Sequence, residues 1–223
     1  AVALATLALV KAPAKAEDEA QGSLLELFRL RVLWLIYPLI FVSYAISGAI
    51  RGLWIGPYLA DGFGAETSVI GTATLLMGAA MIAGTLAYGP AERLAPSRKW
   101  LMIGGTGATF ACGLVLILLP DTTLWLCVAL MCGLGFFGAT YPVLVAHGRS
   151  FLPSHLIGRG VTMLNLCAIG GVGVLQFASG RIYAVTLQTG STLQAYVAVF
   201  VLLTACLALG LVVYLFSRDS TKP

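Results

Sequence analysis

Charge is the scarcest thing in this sequence. Only 10% of its 223 residues are Asp, Glu, Lys or Arg, against 59% hydrophobic ones, whereas a water-soluble domain carries about 25% charged residues. The shortfall excludes a soluble globular fold. The nine acidic residues, Glu17, Asp18, Glu19, Glu26, Asp61, Glu66, Glu92, Asp121 and Asp219, all fall in links, tails or the ends of apolar stretches. None is placed mid-stretch to relay a proton. Histidine occurs only as His147 and His155, both in a polar link where solvation is expected. The five cysteines, Cys112, Cys127, Cys132, Cys167 and Cys206, lie in apolar stretches without the spacing of a zinc or redox pair, and read as small apolar fillers. The sequence offers no nucleophile with a base, no phosphate cradle and no cluster of metal ligands. Neither an enzyme, nor a cofactor, nor a metal is expected, and the net charge of +4 needs no nucleic-acid partner.

What fills the chain instead is six apolar stretches: Leu33 to Leu53, Val69 to Tyr88, Leu101 to Leu119, Leu124 to Val145, Val161 to Tyr183 and Leu193 to Phe216. A helix of about 20 apolar residues crosses the hydrocarbon layer, because only there are all backbone polar groups satisfied within the segment. The sequence therefore predicts an all-α membrane protein. Lys and Arg gather in short cytoplasmic loops. Eleven of the 13 basic residues fall on one side of the alternating links, and only Arg51 and Arg181 lie on or near the other. Both ends of this chain are thus expected in the cytoplasm, and the links Asp61 to Ser68, Asp121 to Thr123 and Val185 to Ser191 outside.

Ala1 to Val10 is apolar but too short to cross. A cleaved secretory signal and the tail of a preceding span both fit it; the missing basic region before it favours the tail. Residues 11–31 then read as a cytoplasmic linker. Ser23 and Glu26 form a capping box there, opening a short amphipathic helix on the membrane surface or an early start of the first span. Residues 32–223 form the six-span unit.

The link Gly89-Pro90-Ala91-Glu92-Arg93-Leu94-Ala95-Pro96-Ser97-Arg98-Lys99 resembles the cytoplasmic loop signature of the major facilitator superfamily. Glu92-Arg93 takes the acidic-basic position and Arg98-Lys99 the closing basic pair, while Ala95 replaces a glycine and Glu92 the usual aspartate. Tyr141-Pro142, Pro153, Gly158-Arg159-Gly160, Asn165 and Gly170-Gly171-Val172-Gly173 are similar to the link between that family's tenth and eleventh helices. The resemblance implies the carboxyl-terminal half of a twelve-helix fold, with Leu33 to Leu119 and Leu124 to Phe216 as two inverted three-helix repeats. It also implies that Glu92, Arg93, Arg98, Lys99 and Arg159 tie helices together at a cytoplasmic gate.

Polar groups in the apolar background mark the candidate binding site. Tyr37, Tyr44, Arg51 and Tyr58 recur every seven residues, with Ser47 and Trp54 between them. On an unbroken helix Tyr44, Ser47, Arg51, Trp54 and Tyr58 share one face, directed at a water-filled cavity or forming an interfacial belt. Gly56-Pro57 is expected to kink or end this helix. Asn165 and Gln176, about three turns apart, face a second side of the cavity or bond neighbouring helices. Phe137 and Tyr141 sit one turn apart and are expected to line its inner part. Small residues four apart, Ala80 and Gly84, Gly104 and Ala108, Gly105 and Thr109, Gly135 and Ala139, read as helix-packing positions.

The expected function is secondary active transport of a small solute by alternating access, and Arg51 favours an anionic one. Its partners are the small-molecule substrate, membrane lipid and the amino-terminal half of the same transporter, in a bacterial inner membrane. The alternative is a membrane assembly or signalling protein that keeps the fold without carrying anything.

Overall fold

The computed structural model describes residues 24–219, and every regular element among them is helical. Six stretches are long and apolar enough to cross a membrane: α1 (Arg31–Phe63), α2 (Thr67–Leu94), α3 (Arg98–Leu118), α4 (Leu124–Arg149), α5 (Ser154–Thr189) and α6 (Thr192–Leu215). A short helix, Leu24–Arg29, precedes them. The apolar tail at 1–10, most of the linker and the Ser23 cap lie outside the described residues.

Helix starts follow local chemistry. Ser97 Oγ accepts from the Trp100 amide, Thr123 Oγ1 from the Leu126 amide, and Ser191 with Gln194 forms a reciprocal capping box, each satisfying amides that the first turn leaves unpaired. Proline explains two interruptions. α1 breaks at Leu35 and Ile36 ahead of Pro38, and α4 between Phe137 and Tyr141 ahead of Pro142, because proline lacks an N–H and its ring displaces the preceding turn.

Gly56-Pro57 does not end α1. The turn before it, Ile50–Trp54, widens to a π-helix, which absorbs the bond Pro57 cannot make. The helix runs on to Gly64, which ends it in the left-handed conformation (φ 62°). Bonds from Gly64 N to Ala60 O and from Ala65 N to Leu59 O close the end, a pattern open to glycine at no steric cost. The expected outer links shrink accordingly, and Asp61 sits in the last turn of α1.

α1 and α4 are the most buried spans. α1 packs on α5 and α6, α4 on α2 and α3, and α3 on α6. Exchanging α1–α3 for α4–α6 maps these contacts onto one another, and since successive spans alternate in direction, a shift by three inverts them. This is the arrangement of two inverted three-helix repeats. The symmetry is imperfect, since α5 packs closely on α6 whereas α2 barely meets α3. Backbones approach closely where side chains vanish. Gly84 of α2 lies against the Phe136 carbonyl oxygen and 2.9 Å from Ala139 Cβ, measured from where its own β-carbon would stand; Gly171 of α5 lies against the Phe41 carbonyl oxygen.

Contacts define two ends of the bundle. At one, Lys99 Nζ donates to the Leu215 and Ser217 carbonyls at 2.8 and 2.7 Å, and His155 stands 3.5 Å from Glu26. At the other, Tyr196 donates to Asp61 Oδ2 at 2.5 Å and Tyr58 to the Pro120 carbonyl. Basic links thus collect at the first end. His147, expected to be solvated, is fully buried there, because α4 continues to Arg149 and turns His147 onto Tyr214 of α6.

Candidate functional site

The site is built around the π-helical turn of α1. Arg51, Gly52 and Leu53 form its exposed side, and the Arg51 guanidinium reaches α2 at Gly78. A β-carbon at Gly78 would stand 3.1 Å from Arg51 Nε and 3.2 Å from one terminal nitrogen. Gly78 lies near the middle of α2, so Arg51 sits at mid-span. A cavity of about 510 Å³ opens there, lined by Tyr44 and Arg51 of α1 and by Leu75, Met81, Ile82, Thr85 and Leu86 of α2. Among the described residues Arg51 has neither an ion-pair nor a hydrogen-bond partner, although an uncompensated cation at this depth is costly.

The predicted stripe on α1 divides at this turn. Tyr44 lines the cavity, and its ring meets Tyr141 at 5.8 Å between centroids. Tyr141 follows the break in α4, so the two interrupted helices meet at this pair. Ser47 is buried on the α4 side, donating to the Leu134 carbonyl at 2.9 Å. Trp54 and Tyr58 turn away from Arg51. Trp54 Nε1 donates to Ser179 Oγ at 2.9 Å and its ring packs on Tyr183 and Tyr196, while Tyr58 is enclosed by Phe63, Tyr196 and Phe200. The reason is geometric: a π-turn holds more residues than an α-turn, so the step of about 100° per residue does not carry across it.

The amides of α5 are partly exposed, and Gln176 reaches α1, its Nε2 standing 3.3 Å from where a Gly52 β-carbon would be. Asn165 lies nearer the other end of α5, also partly exposed. The break at Gly138–Thr140 separates Phe137 from Tyr141. Phe137 packs on Phe136 and lines a different, apolar groove with Trp100 and Gly104. Of the residues expected at the gate, Glu92 pairs with Arg98 at 2.6 Å, Lys99 caps the end of α6, Arg93 is exposed, and Arg159 is partly buried at the start of α5.

Two features have little or no sequence signal. The π-turn has no signature in hydropathy; only Gly52 before Gly56-Pro57 hints at an irregular stretch. Buried His147 is masked by its polar neighbours Gly148, Arg149 and Ser150.

A family model described as Major Facilitator Superfamily matches residues 1–172. A search of curated proteins finds no match.

Proposed function

The chain belongs to the major facilitator superfamily, whose members are membrane transporters, and from that premise we propose that it moves a small, anionic solute by secondary active transport. The observation carrying this reading is the Arg51 guanidinium in the mid-span cavity, without an ion-pair or hydrogen-bond partner among the described residues. Its low-dielectric surroundings strengthen attraction for an anion, and its planar fork suits a carboxylate or phosphate. The interruptions of α1 and α4 support the same placement, because transporters of this architecture hold substrate near the midplane where paired repeats carry broken helices. Tyr44 and Tyr141 line the inner side, and Gln176 and Asn165 contribute amides from α5. Alternating access would come from rocking against an amino-terminal six-helix half, with the basic end of the bundle in the cytoplasm of a bacterial cell.

Uptake into proteoliposomes containing the full transporter tests this. Arg51→Ala and Arg51→Lys should both reach the membrane yet lose substrate affinity, alanine more severely, since lysine keeps the charge but not the fork. Normal transport in Arg51→Ala would remove Arg51 from the site. Absence of any solute flux with a folded protein would favour the non-transporting reading.

A further inference from the structure

We infer that the groove between α2 and α3 holds one acyl chain of a phospholipid from the leaflet at the basic end of the bundle. The site is separate from the Arg51 cavity and independent of what that cavity takes. The groove, about 340 Å³, runs between Ala87 and Ala91 of α2 and Trp100, Gly104 and Ala108 of α3, with Phe136 of α4 behind it. Both walls pack on α4 but barely on one another, and glycine and alanine are too short to close the gap between them.

The groove opens away from the Arg51 cavity. α2 is a continuous α-helix and turns about 100° per residue, so Ala87, nine residues past Gly78, faces about 180° from the point that Arg51 touches. Whatever covers the cavity side of α2, the amino-terminal half included, stands across the helix from the groove. On α3 the groove merges with an apolar strip. Leu118, about five turns on from Trp100, points the same way, and it and Leu114 are 67% and 40% exposed, as befits a face that meets lipid tails.

Its length fits one leaflet. Ala108 lies eight residues beyond Trp100, about 12 Å along a helix, and half of a hydrocarbon core is about 15 Å. Ala91 is in the last turn of α2 and Phe136 halfway along α4, so the groove begins at the basic end and stops near mid-span. A partner helix would need a groove that continued through the second leaflet. The chemistry agrees with a chain. The Tyr88 hydroxyl in the wall is spent on the Phe137 carbonyl at 2.8 Å, and Trp100, 63% exposed, stands at the rim, the depth at which indoles sit between headgroups and tails. An apolar gap left empty forfeits dispersion contacts along its walls, and water finds no partners in it. A lipid chain restores those contacts and fills the space between α2 and α3 beside the Glu92–Arg98 pair.

The test uses the full-length transporter, reconstituted with phosphatidylethanolamine and phosphatidylglycerol and then stripped of loosely held lipid in detergent. A photoreactive benzoylphenylalanine in place of Trp100 should, on irradiation, add the mass of one phospholipid to the protein. The same group in place of Leu118, on the same face but beyond the groove, should add none. A β-carbon at Gly104 meets nothing within 4 Å, so Gly104→Leu places its side chain in the groove without displacing protein. It should cut the Trp100-site adduct roughly tenfold or more, the effect of about two buried methylenes lost from the chain. Ala91→Leu, from the opposite wall, should do the same and keeps the question answerable if Gly104→Leu fails to fold. Equal adducts at the two positions would mean an ordinary lipid shell and overturn the inference. So would an adduct with the amino-terminal half, with a second copy of the chain or with a free fatty acid, or an adduct unchanged in both leucine variants. Solute flux enters none of these readouts, so failure of the transport reading leaves this inference standing, and the reverse holds equally.

Discussion

The Tyr214 hydroxyl lies 2.8 Å from His147 Nδ1, while His147 Nε2 stands 3.2 Å from the Arg218 carbonyl. A carbonyl oxygen only accepts, so Nε2 carries the hydrogen, and in the neutral ring Nδ1 then accepts from the Tyr214 hydroxyl. Both nitrogens of a fully buried imidazole are thereby satisfied, and α4 is joined to the end of α6. Tyr214→Phe leaves Nδ1 without a donor and should cost about 1–3 kcal/mol. His147→Ala should cost more, since it also removes ring contacts with Phe151 and Tyr214. Thermal unfolding in detergent measures both, and unchanged midpoints would show that the clasp carries no stability.

Glycines on α2 and α3 should respond oppositely to one added methyl group. A β-carbon at Gly84 collides with the Phe136 carbonyl of α4, a backbone group that cannot rotate aside, whereas one at Gly104 meets nothing within 4 Å. Gly84→Ala should therefore destabilise by about 1–3 kcal/mol, the usual cost of overpacking. Gly104→Ala should be neutral or slightly stabilising, since alanine is the better helix former by about 1 kcal/mol. Paired unfolding curves would decide it; equal midpoints would contradict the packing of α2 on α4.

Hydropathy carries most of the architecture, because a span of about 20 apolar residues is imposed by the bilayer and not by tertiary detail. The alternation of basic links yields the shared ends that Lys99 and Ser217 display. The site is legible only in part. Arg51 and Tyr44 stand out chemically in any apolar stretch, so both can be found from composition alone. Their separation from Trp54 and Tyr58 cannot, since it depends on one wide turn whose cause is backbone geometry. His147 defeats a local reading for a similar reason: burial there comes from Tyr214, remote in sequence, and local polarity does not report it.

Trp54 offers a check on that division. Its indole is buried between Tyr183 and Tyr196 and bonded to Ser179, so its contribution is to join α1 with α5 and α6. Trp54→Ala should lower stability by about 3–5 kcal/mol, the range for deleting a large buried aromatic. Trp54→Phe should cost less, losing chiefly one interhelical bond of about 1 kcal/mol. If Trp54→Ala unfolds at the wild-type temperature, the outer aromatic cluster is not what holds these helices.

Sidedness can be read with single cysteines in a background whose five native cysteines are replaced. Ser154 lies at the basic end of the bundle, whereas Thr122 and Thr189 lie at the other, and all three are exposed. With basic links in the cytoplasm, Ser154→Cys should react with a membrane-impermeant maleimide only after the cells are opened. Thr122→Cys and Thr189→Cys should react in intact cells. Labelling of Ser154→Cys and Thr122→Cys from one side would break the alternation of spans.

Glu92 and Arg98 provide the last test. Their contact, 2.6 Å between Oε1 and Nε with side chains 25% and 20% exposed, braces the turn between α2 and α3, while neighbouring Lys99 holds the end of α6. The three helix ends therefore move as one piece as long as the brace stands. Replacing Glu92 by glutamine keeps the shape but removes the charge, and a charge-assisted contact on a partly wetted surface is worth on the order of 1 kcal/mol. That energy corresponds to about a fivefold shift between two states. A cysteine at Ala79, beside the cavity, should accordingly show an inside-to-outside accessibility ratio raised about fivefold in Glu92→Gln, with substrate affinity nearly unchanged because the pair lies far along α2 from Gly78. An unaltered ratio would reduce Glu92 to a local brace of its loop and take the gate elsewhere on the basic end.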